Sequence, residues 1–240
     1  MEIKSTDAQT SRNQVGGAVV IMSGGLDSTV LLHYVKAFEE IQEVYGLSFN
    51  YGQRHFKELR FAKYWGDKLC KEHKILNIDF MAKIGDISAL LDHDKEIPTE
   101  HYTHENQQIT VVPNRNMIML SIAVGWAENL GITQVYFGPH ANDETIYPDC
   151  REPFVDALSL ATALGTYNKV EVFAPFVRVS KGQVVKFGFS LGVDFQNTWS
   201  CYKGEELHCG ECATCQERIE AFQEVGVIDP TEYVRKKSNG

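Results

Sequence analysis

The sequence lacks three features that would place it in other classes of protein. It has no run of about eighteen apolar residues, so it predicts no membrane-spanning helix. Its N-terminal stretch MEIKSTDAQTSRNQ has no apolar core of a signal peptide. Positive charge is scarce, with 23 Lys and Arg against 32 Asp and Glu and a formal net charge of −9, which disfavours a broad basic face. We therefore expect a cytoplasmic protein with a small-molecule substrate, no nucleic-acid partner and no membrane attachment.

The 240 residues instead carry alternating strand and helix patterns, and 43% of them are apolar, which is ample for a core. We predict strands at 17–22, 43–49, 74–79, 133–138 and 170–173. We predict helices at 27–40, 56–70, 116–130, 151–164, 181–191 and 215–224. This alternation predicts an α/β fold with a doubly wound parallel sheet. The polar stretch 84–110 is long enough for a substrate loop or lid.

The pattern also divides the chain into three parts. We predict a flexible tail at residues 1–16 and the α/β domain at residues 17–193. Residues 194–240 predict a small C-terminal appendage, because the composition changes near Asp194. The chemical motifs fall in the second and third parts.

A glycine-containing loop joins the first predicted strand to the first predicted helix. Backbone N–H groups and the positive helix end meet there, and glycines let the backbone close around an anion. The loop is neither a Walker A motif nor a G-x-G-x-x-G motif. Taken alone, it could be a tight turn with a Ser or Asp helix cap. The loop and the residue after it are Ser23, Gly24, Gly25, Leu26, Asp27, Ser28 and Thr29.

The whole string resembles the pyrophosphate loop of the N-type ATP pyrophosphatases, the PP-loop superfamily. This resemblance implies an adenine nucleotide alpha hydrolase-like fold, with 17–193 as an ATP-binding domain. It also implies that a substrate oxygen attacks the α-phosphorus of ATP, giving an adenylated substrate and pyrophosphate. Asp27 could position a Mg²⁺ ion on the phosphates. Lys181, at a predicted helix start, is either a further ATP-binding residue or simply exposed to solvent.

Four cysteines fall within one short stretch near the C-terminus. Their spacing, with C-x2-C repeated, suits a closed tetrahedral site for a structural Zn²⁺ ion. An iron–sulfur cluster also uses four thiolates, and His208 could replace one cysteine. A disulfide pair is the remaining alternative, which a reducing compartment disfavours. The four candidate ligands are Cys201, Cys209, Cys212 and Cys215.

Further strings make the resemblance more specific. They are NYGQRH at 50–55, VPNRN at 112–116, YPDCR at 147–151 and TWSCY at 198–202. Together with SGGLDS and CGECATC, they resemble the 7-cyano-7-deazaguanine synthase family over about 18–229. The resemblance implies that ATP activates the carboxylate of 7-carboxy-7-deazaguanine, that ammonia converts it to an amide, and that a second activation gives the nitrile. It also implies a homodimer.

The same strings supply the candidate site residues. We expect Asp27, Ser28 and Arg115 to be catalytic. Arg54 and His55 could instead be an ordinary exposed helix start, and Asp149 and Arg151 could pair with each other. The residues expected to bind the deazapurine are Tyr51, Arg54, His55, Arg115, Tyr147, Asp149 and Arg151.

One cysteine and one loop qualify these expectations. A covalent role for Cys150 is unneeded, since ATP supplies the activation. The loop 138–146 departs from the family pattern, whereas the YPDCR string that follows it matches that pattern.

Three other functions remain open at this point. One is a related adenylating ligase that stops at the amide or couples the deazaguanine acid to another amine. Another is a tRNA-thiolating PP-loop enzyme, which the acidic charge and short length disfavour. The third is a zinc-stapled binding module without catalysis, which the retained glycine loop disfavours.

Overall fold

A computed structural model describes residues 16–38, 40–53, 57–81, 111–144, 147–203 and 206–234. The predicted tail, all but its last residue, and the predicted lid stretch at 84–110 lie outside the described residues. Two candidate substrate residues, Arg54 and His55, also lie outside them. Among the described residues, no helix combines the length and the hydropathy that crossing a membrane requires.

The described strands form one five-stranded sheet in the order β3-β2-β1-β4-β5. Every strand pair in it is parallel, so the predicted doubly wound parallel sheet is confirmed. The strand order changes direction at β1, which lies between β2 and β4, and ligands bind outside the carboxyl ends of strands at such a point. The strands are β1 (Gly17–Ile21), β2 (Glu43–Asn50), β3 (Glu72–Asn77), β4 (Gln134–Tyr136) and β5 (Glu171–Phe173).

Helices connect these strands and follow the last one. They are α1 (Leu26–Lys36), α2 (Lys57–Leu69), α3 (Arg115–Leu130), α4 (Glu152–Gly165), α5 (Lys181–Ser190) and α6 (Ala213–Glu224). Short 3-10 turns lie at Ala141–Asp143, Pro148–Cys150 and Phe195–Asn197. The prediction that the first helix reaches Glu40 is wrong. The chain leaves α1 at Lys36 and turns back so that the side chain of Ile41 enters the core ahead of β2.

Side chains alternate between the two faces of the central strand. Val19 packs on one face with residues of α3 and α4. Ala18 and Val20 pack on the other face with residues of α1 and α5. This alternation follows from the two-residue period of a strand. It explains why β1 is apolar throughout: helices cover both of its faces.

The C-terminal segment joins the second of these cores. Phe195 and Phe222 are buried in the core that contains α1 and α5. The indole Nε1 of Trp65 on α2 donates to the carbonyl oxygen of Asn197 at 2.6 Å. The side chain of Arg218 on α6 is fully buried and forms an ion pair with Asp229 at 3.0 Å. The division of the chain at 193/194 stays a prediction, but the segment beyond it contributes to the common core.

Candidate active site

A cavity of about 270 Å³ opens at the carboxyl edge of the sheet. Ile21 at the end of β1 and Phe137 just after β4 line it, which places the cavity at the change in strand order. The glycine loop, the start of α3 and the C-terminal segment form its other walls. The cavity is therefore where an open α/β sheet is expected to bind its ligand.

The glycine loop is shaped by its own hydroxyl groups. Ser28 Oγ accepts from Ser23 N at 3.1 Å and donates to the Gly25 carbonyl oxygen at 3.3 Å, and Ser23 Oγ accepts from Gly25 N at 3.2 Å. Gly25 precedes α1 and has no side chain to cap its first backbone N–H groups. The loop therefore presents a helix N-terminus to the cavity, which suits an anion.

Gly24 fixes the distance between this loop and α2. Its φ is +82°, in the left-handed region that favours glycine. A Cβ at this position would collide with the carbonyl oxygen of Glu58 and the backbone nitrogen of Ala62. The loop can take its shape against α2 only because position 24 has no side chain.

A cluster of charged side chains lies beside the loop. Lys181 Nζ lies 3.3 Å from Asp27 Oδ2 and 3.2 Å from Glu217 Oε2 on α6. His140 Nε2 lies 3.4 Å from Lys181 Nζ, 3.8 Å from Asp27 Oδ1 and 3.6 Å from Asp143 Oδ2. Lys181 is only 8% exposed, so the alternative that it is solvent-exposed is wrong. The cluster joins the loop to α5, α6 and the turn after β4.

The pKa shifts in this cluster follow from its pairing. Burial by itself would raise the pKa of Asp27, but the charges of Lys181 and His140 outweigh burial and lower that pKa. Burial would lower the pKa of Lys181, but Asp27 and Glu217 raise it. Both groups are thus charged at neutral pH. Asp27 Oδ1 is buried and has no hydrogen-bond partner among the described residues, so it fits one oxygen ligand of a Mg²⁺ ion.

A guanidinium lies on the other side of the cavity. Arg115, at the first position of α3, donates from Nη1 to Tyr51 OH at 3.2 Å and lies 5.5 Å from the centroid of that ring. Burial would lower the pKa of Arg115, but Tyr51, Tyr147 and Tyr202 raise it. Burial also raises the pKa of Tyr51 to about 12. Arg115 is therefore a permanent cation at the cavity wall, suited to an anionic ligand group.

The structure separates the YPDCR residues by position. Tyr147 and Cys150 line the cavity. Asp149 Oδ2 accepts from Asn116 N at 2.9 Å and so caps the first turn of α3. Arg151 is exposed, and its Nε donates to the Glu144 carbonyl oxygen at 2.9 Å. Burial raises the pKa of Cys150 far above its usual range, which disfavours a thiolate nucleophile.

The four predicted cysteines lie together and all are buried, with their sulfur atoms within 4.8 Å of one another. Three backbone N–H groups point at sulfur: those of Cys209 at Cys201 Sγ, and of Glu211 and Cys212 at Cys209 Sγ, at 3.3–3.4 Å. Such donors stabilise thiolates. His208 instead accepts at Nε2 from Ser200 N at 3.1 Å. The four sulfurs therefore fit a single metal ion.

The cysteine segment also forms part of the cavity wall. Trp199 N donates to the Gly24 carbonyl oxygen at 2.9 Å, which ties the segment to the glycine loop. Trp199, Ser200 and Tyr202 line the cavity. The four-cysteine segment thus contributes residues that face the ligand space.

Sequence patterns missed four acidic or basic residues of the cavity wall. They are Glu58, His140, Asp143 and Glu217. Each is a single polar residue on a helix or turn, and such residues are usually solvated. Only the fold shows that three of them gather around Lys181. The QRH string at 53–55 was a signal close to Glu58, because it lies just ahead of α2, which begins at Lys57.

The fold and site define a doubly wound α/β protein with a glycine loop at the switch point and a buried four-cysteine cluster. The family model described as queuosine biosynthesis protein QueC matches residues 17–226. The chain belongs to this family, the 7-cyano-7-deazaguanine synthases, so the family predicted from the motifs is confirmed.

Curated relatives extend over nearly the whole chain. The 7-cyano-7-deazaguanine synthase of Caldicellulosiruptor saccharolyticus is 49% identical over 216 residues, 90% of this chain and 95% of the relative. The enzyme of that name from Psychromonas ingrahamii is 44% identical over 90% of this chain and 96% of its own. A solved U34-tRNA thiolase, NcsA from Methanococcus maripaludis with its [4Fe-4S] cluster, is 14% identical with a TM-score of 0.46. The match covers 90% of this chain and 69% of the thiolase, and so distant a likeness assigns neither activity nor cluster.

Proposed function

We propose that this chain converts 7-carboxy-7-deazaguanine and ammonia to 7-cyano-7-deazaguanine, through an adenylated carboxylate and an amide, with ATP consumed in each activation. The observation that carries the proposal is the arrangement of one cavity. A glycine loop suited to phosphate and a guanidinium suited to a carboxylate line the same space. An enzyme that esterifies a carboxylate to AMP must bring these two anions together.

The phosphate side is formed by the loop and its charged neighbours. Backbone N–H groups at the start of α1 and the hydroxyls of Ser23 and Ser28 face the cavity. Lys181 is already paired with two carboxylates, so it adds little free positive charge. A Mg²⁺ ion on Asp27 would supply the missing charge and join the loop to the phosphates.

The carboxylate side is formed by Arg115. Its guanidinium neutralises the acid before activation and stabilises the oxyanion that develops when ammonia attacks. Tyr51 orients this guanidinium through its hydroxyl. Tyr147 lines the same space and suits stacking or hydrogen bonding with the base. Arg54, His55, Asp149 and Arg151 stay predicted substrate residues.

The metal in the cysteine cluster is proposed to be Zn²⁺ in a structural role. Four thiolates about 2.3 Å from one ion place the sulfurs roughly 4 Å apart. Cys209 Sγ and Cys215 Sγ are 3.9 Å apart. An iron–sulfur cluster holds its thiolates on different iron atoms and so spreads them more widely. Four protein ligands also leave no open position, so no catalytic step involves this metal.

We also propose a location and an assembly for the protein. A substrate requirement for ATP favours the cytoplasm, where the four cysteines would stay reduced. The family resemblance implies a homodimer. Light scattering of the purified protein would test that assembly.

The proposed function is tested by product analysis. The protein is incubated with ATP, Mg²⁺, ammonium and 7-carboxy-7-deazaguanine, and the products are followed by mass spectrometry. We expect the amide to appear first and the nitrile to replace it. Amide accumulation under excess ATP would identify the amide-forming relative instead. A product containing another amine, or sulfur transfer to tRNA alone, would identify one of the other adenylating enzymes.

A further inference from the structure

A partly buried carboxylate between the glycine loop and Arg115 has no part in the chemistry described so far. Glu58 lies in the first turn of α2, and its side chain lines the cavity. Its carbonyl oxygen is packed so closely against Gly24 that no Cβ fits between them. Glu58 is therefore fixed against the loop proposed to hold the phosphates.

Neighbouring groups hold this side chain in place. The fully buried Gln53 donates from Nε2 to Glu58 Oε1 at 3.0 Å and to the Phe49 carbonyl oxygen at 3.2 Å. The same Gln53 accepts from Tyr51 N at 2.9 Å, and Tyr51 contacts Arg115. One network thus positions both the carboxylate and the guanidinium. A carboxylate held in this way is typical of a group that acts on a bound ligand.

The reaction requires such a group because nitrogen must lose protons. In the second half-reaction, the amide oxygen attacks the α-phosphorus of ATP and pyrophosphate leaves. The O-adenylated product carries two N–H protons on a positively charged nitrogen. The first proton leaves to solvent and gives the neutral imidate, and the second leaves the nitrogen as AMP departs. The N–H electron pair becomes the third C–N bond, and the C–O pair departs with AMP. A carboxylate beside the reacting carbon can accept that proton and return it to solvent.

We propose that Glu58 is the general base that removes the proton from nitrogen as the nitrile forms. The proposal rests on the proposed function above. Arg115 and the glycine loop fix where the reacting carbon must lie, and Glu58 lines the space between them. In the first half-reaction, the same carboxylate takes a proton from the attacking ammonia.

The electrostatics of Glu58 suit this role. Burial raises its pKa to about 7, although the hydrogen bond from Gln53 and the charge of Arg115 favour the ionised form. In the part of the chain that the structure describes, the titratable groups shown to interact with it are Arg115 from α3 and Tyr51 after β2. Its helix neighbour Lys57 is directed elsewhere, with Nζ 4.3 Å from the Trp199 ring centroid. A base is most effective when its pKa lies near the working pH.

The test uses Glu58→Gln, which keeps an oxygen that can accept from Gln53, and Glu72→Gln as a matched control on the edge strand β3. Two rates are measured. The first is isotope exchange between pyrophosphate and ATP, driven by 7-carboxy-7-deazaguanine without ammonium, which reports adenylation alone. The second is nitrile formation from the amide and ATP, which needs no ammonium and so avoids its ionisation.

We expect Glu58→Gln to keep exchange within about twofold and to lose nitrile formation by roughly 10²–10⁴-fold. Because the base must be ionised, the wild-type rate of nitrile formation should rise with pH through about 7 and then level. Glu58→Gln should lose this rise of the rate with pH, whereas Glu72→Gln should keep both rates and the rise. An unchanged rate of nitrile formation, or an equal loss of both rates, would overturn the proposal. If the wild-type protein makes no nitrile, that result contradicts the proposed function itself, and the role of Glu58 falls with it.

Discussion

At the scale of single residues, Asp27 is the point at which the loop meets the charged cluster. Asp27→Ala removes the carboxylate proposed to contact phosphate or Mg²⁺, but it leaves Lys181 paired with Glu217. No buried charge is left alone, so the fold should survive. We expect turnover to be abolished and the thermal melt to stay close to wild type.

The matched control for this substitution is Asp67→Ala on α2, whose exposed carboxylate pairs with Lys63 at 2.8 Å. Exposed ion pairs contribute little to stability, so both the turnover and the melting temperature should be unchanged. The measurements are turnover of the carboxylated base and a thermal melt. Normal turnover in Asp27→Ala would remove Asp27 from the site.

The same scale shows how far the sequence could predict the site. Loop residues such as Asp27 were predictable because glycines and hydroxyls at a strand–helix junction form a recognisable string. The position of Lys181 within hydrogen-bonding distance of Asp27 was not, because the two lie on α1 and α5. Asp149 was predicted from the same string as Tyr147, yet its carboxylate caps α3. A string indicates that residues matter together without showing what each side chain contacts.

At the scale of secondary-structure elements, the contact between the β1–α1 loop and α2 depends on one glycine. Gly24→Ala forces a side chain into a left-handed backbone conformation and against the backbone of α2. The loop must shift, which displaces the N–H groups at the start of α1 from the phosphates. We expect isotope exchange between pyrophosphate and ATP to fall at least about tenfold, because a displacement near 1 Å can cost about 10²-fold.

Gly125→Ala on α3 is the control for this substitution. A Cβ there meets nothing within 4 Å, and the residue is exposed. Alanine should stabilise that helix by about 0.5–1 kcal/mol and leave exchange unchanged. Equal exchange rates in Gly24→Ala and wild type would show that the loop tolerates the shift and that its shape is not critical.

Strand and helix types were predictable from apolar spacing, but their ends were less so. Both ends of β1 and α3 come within about two residues of the expected bounds. The end of α1 was missed because the helical spacing continues to Phe38, whereas burial of Ile41 requires the chain to turn earlier. Tertiary packing decides where such helices end, and the apolar spacing within one segment carries no information about that packing.

At the scale of the whole molecule, the cysteine segment connects the core to the cavity. Thr198 Oγ1 accepts from the buried Arg218 at 2.7 Å, and Trp199 bonds to the Gly24 carbonyl oxygen. Spacing alone predicted the four ligands, but it gave no indication that their segment lines the ligand space. The predicted appendage is therefore better described as a structural support for the site.

The last prediction concerns the consequence of losing one metal ligand. If the four thiolates form a closed site, one Zn²⁺ should copurify with each chain. Cys212→Ala leaves the ion undercoordinated, and the cluster around it is small, with Trp199 as the only buried aromatic residue among its described members. We expect the zinc content to fall and the melting temperature to drop by roughly 4 °C or more, since 1 kcal/mol of stability corresponds to about 2–4 °C at this length.

Turnover should fall in parallel, because Trp199 no longer holds Gly24 in place. The control variant Cys70→Ala should keep its zinc. Metal analysis and a thermal melt measure the two effects. Full zinc content and an unchanged melting temperature in Cys212→Ala would contradict the metal site. Iron in the purified protein, with visible absorption, would identify an iron–sulfur cluster instead of zinc.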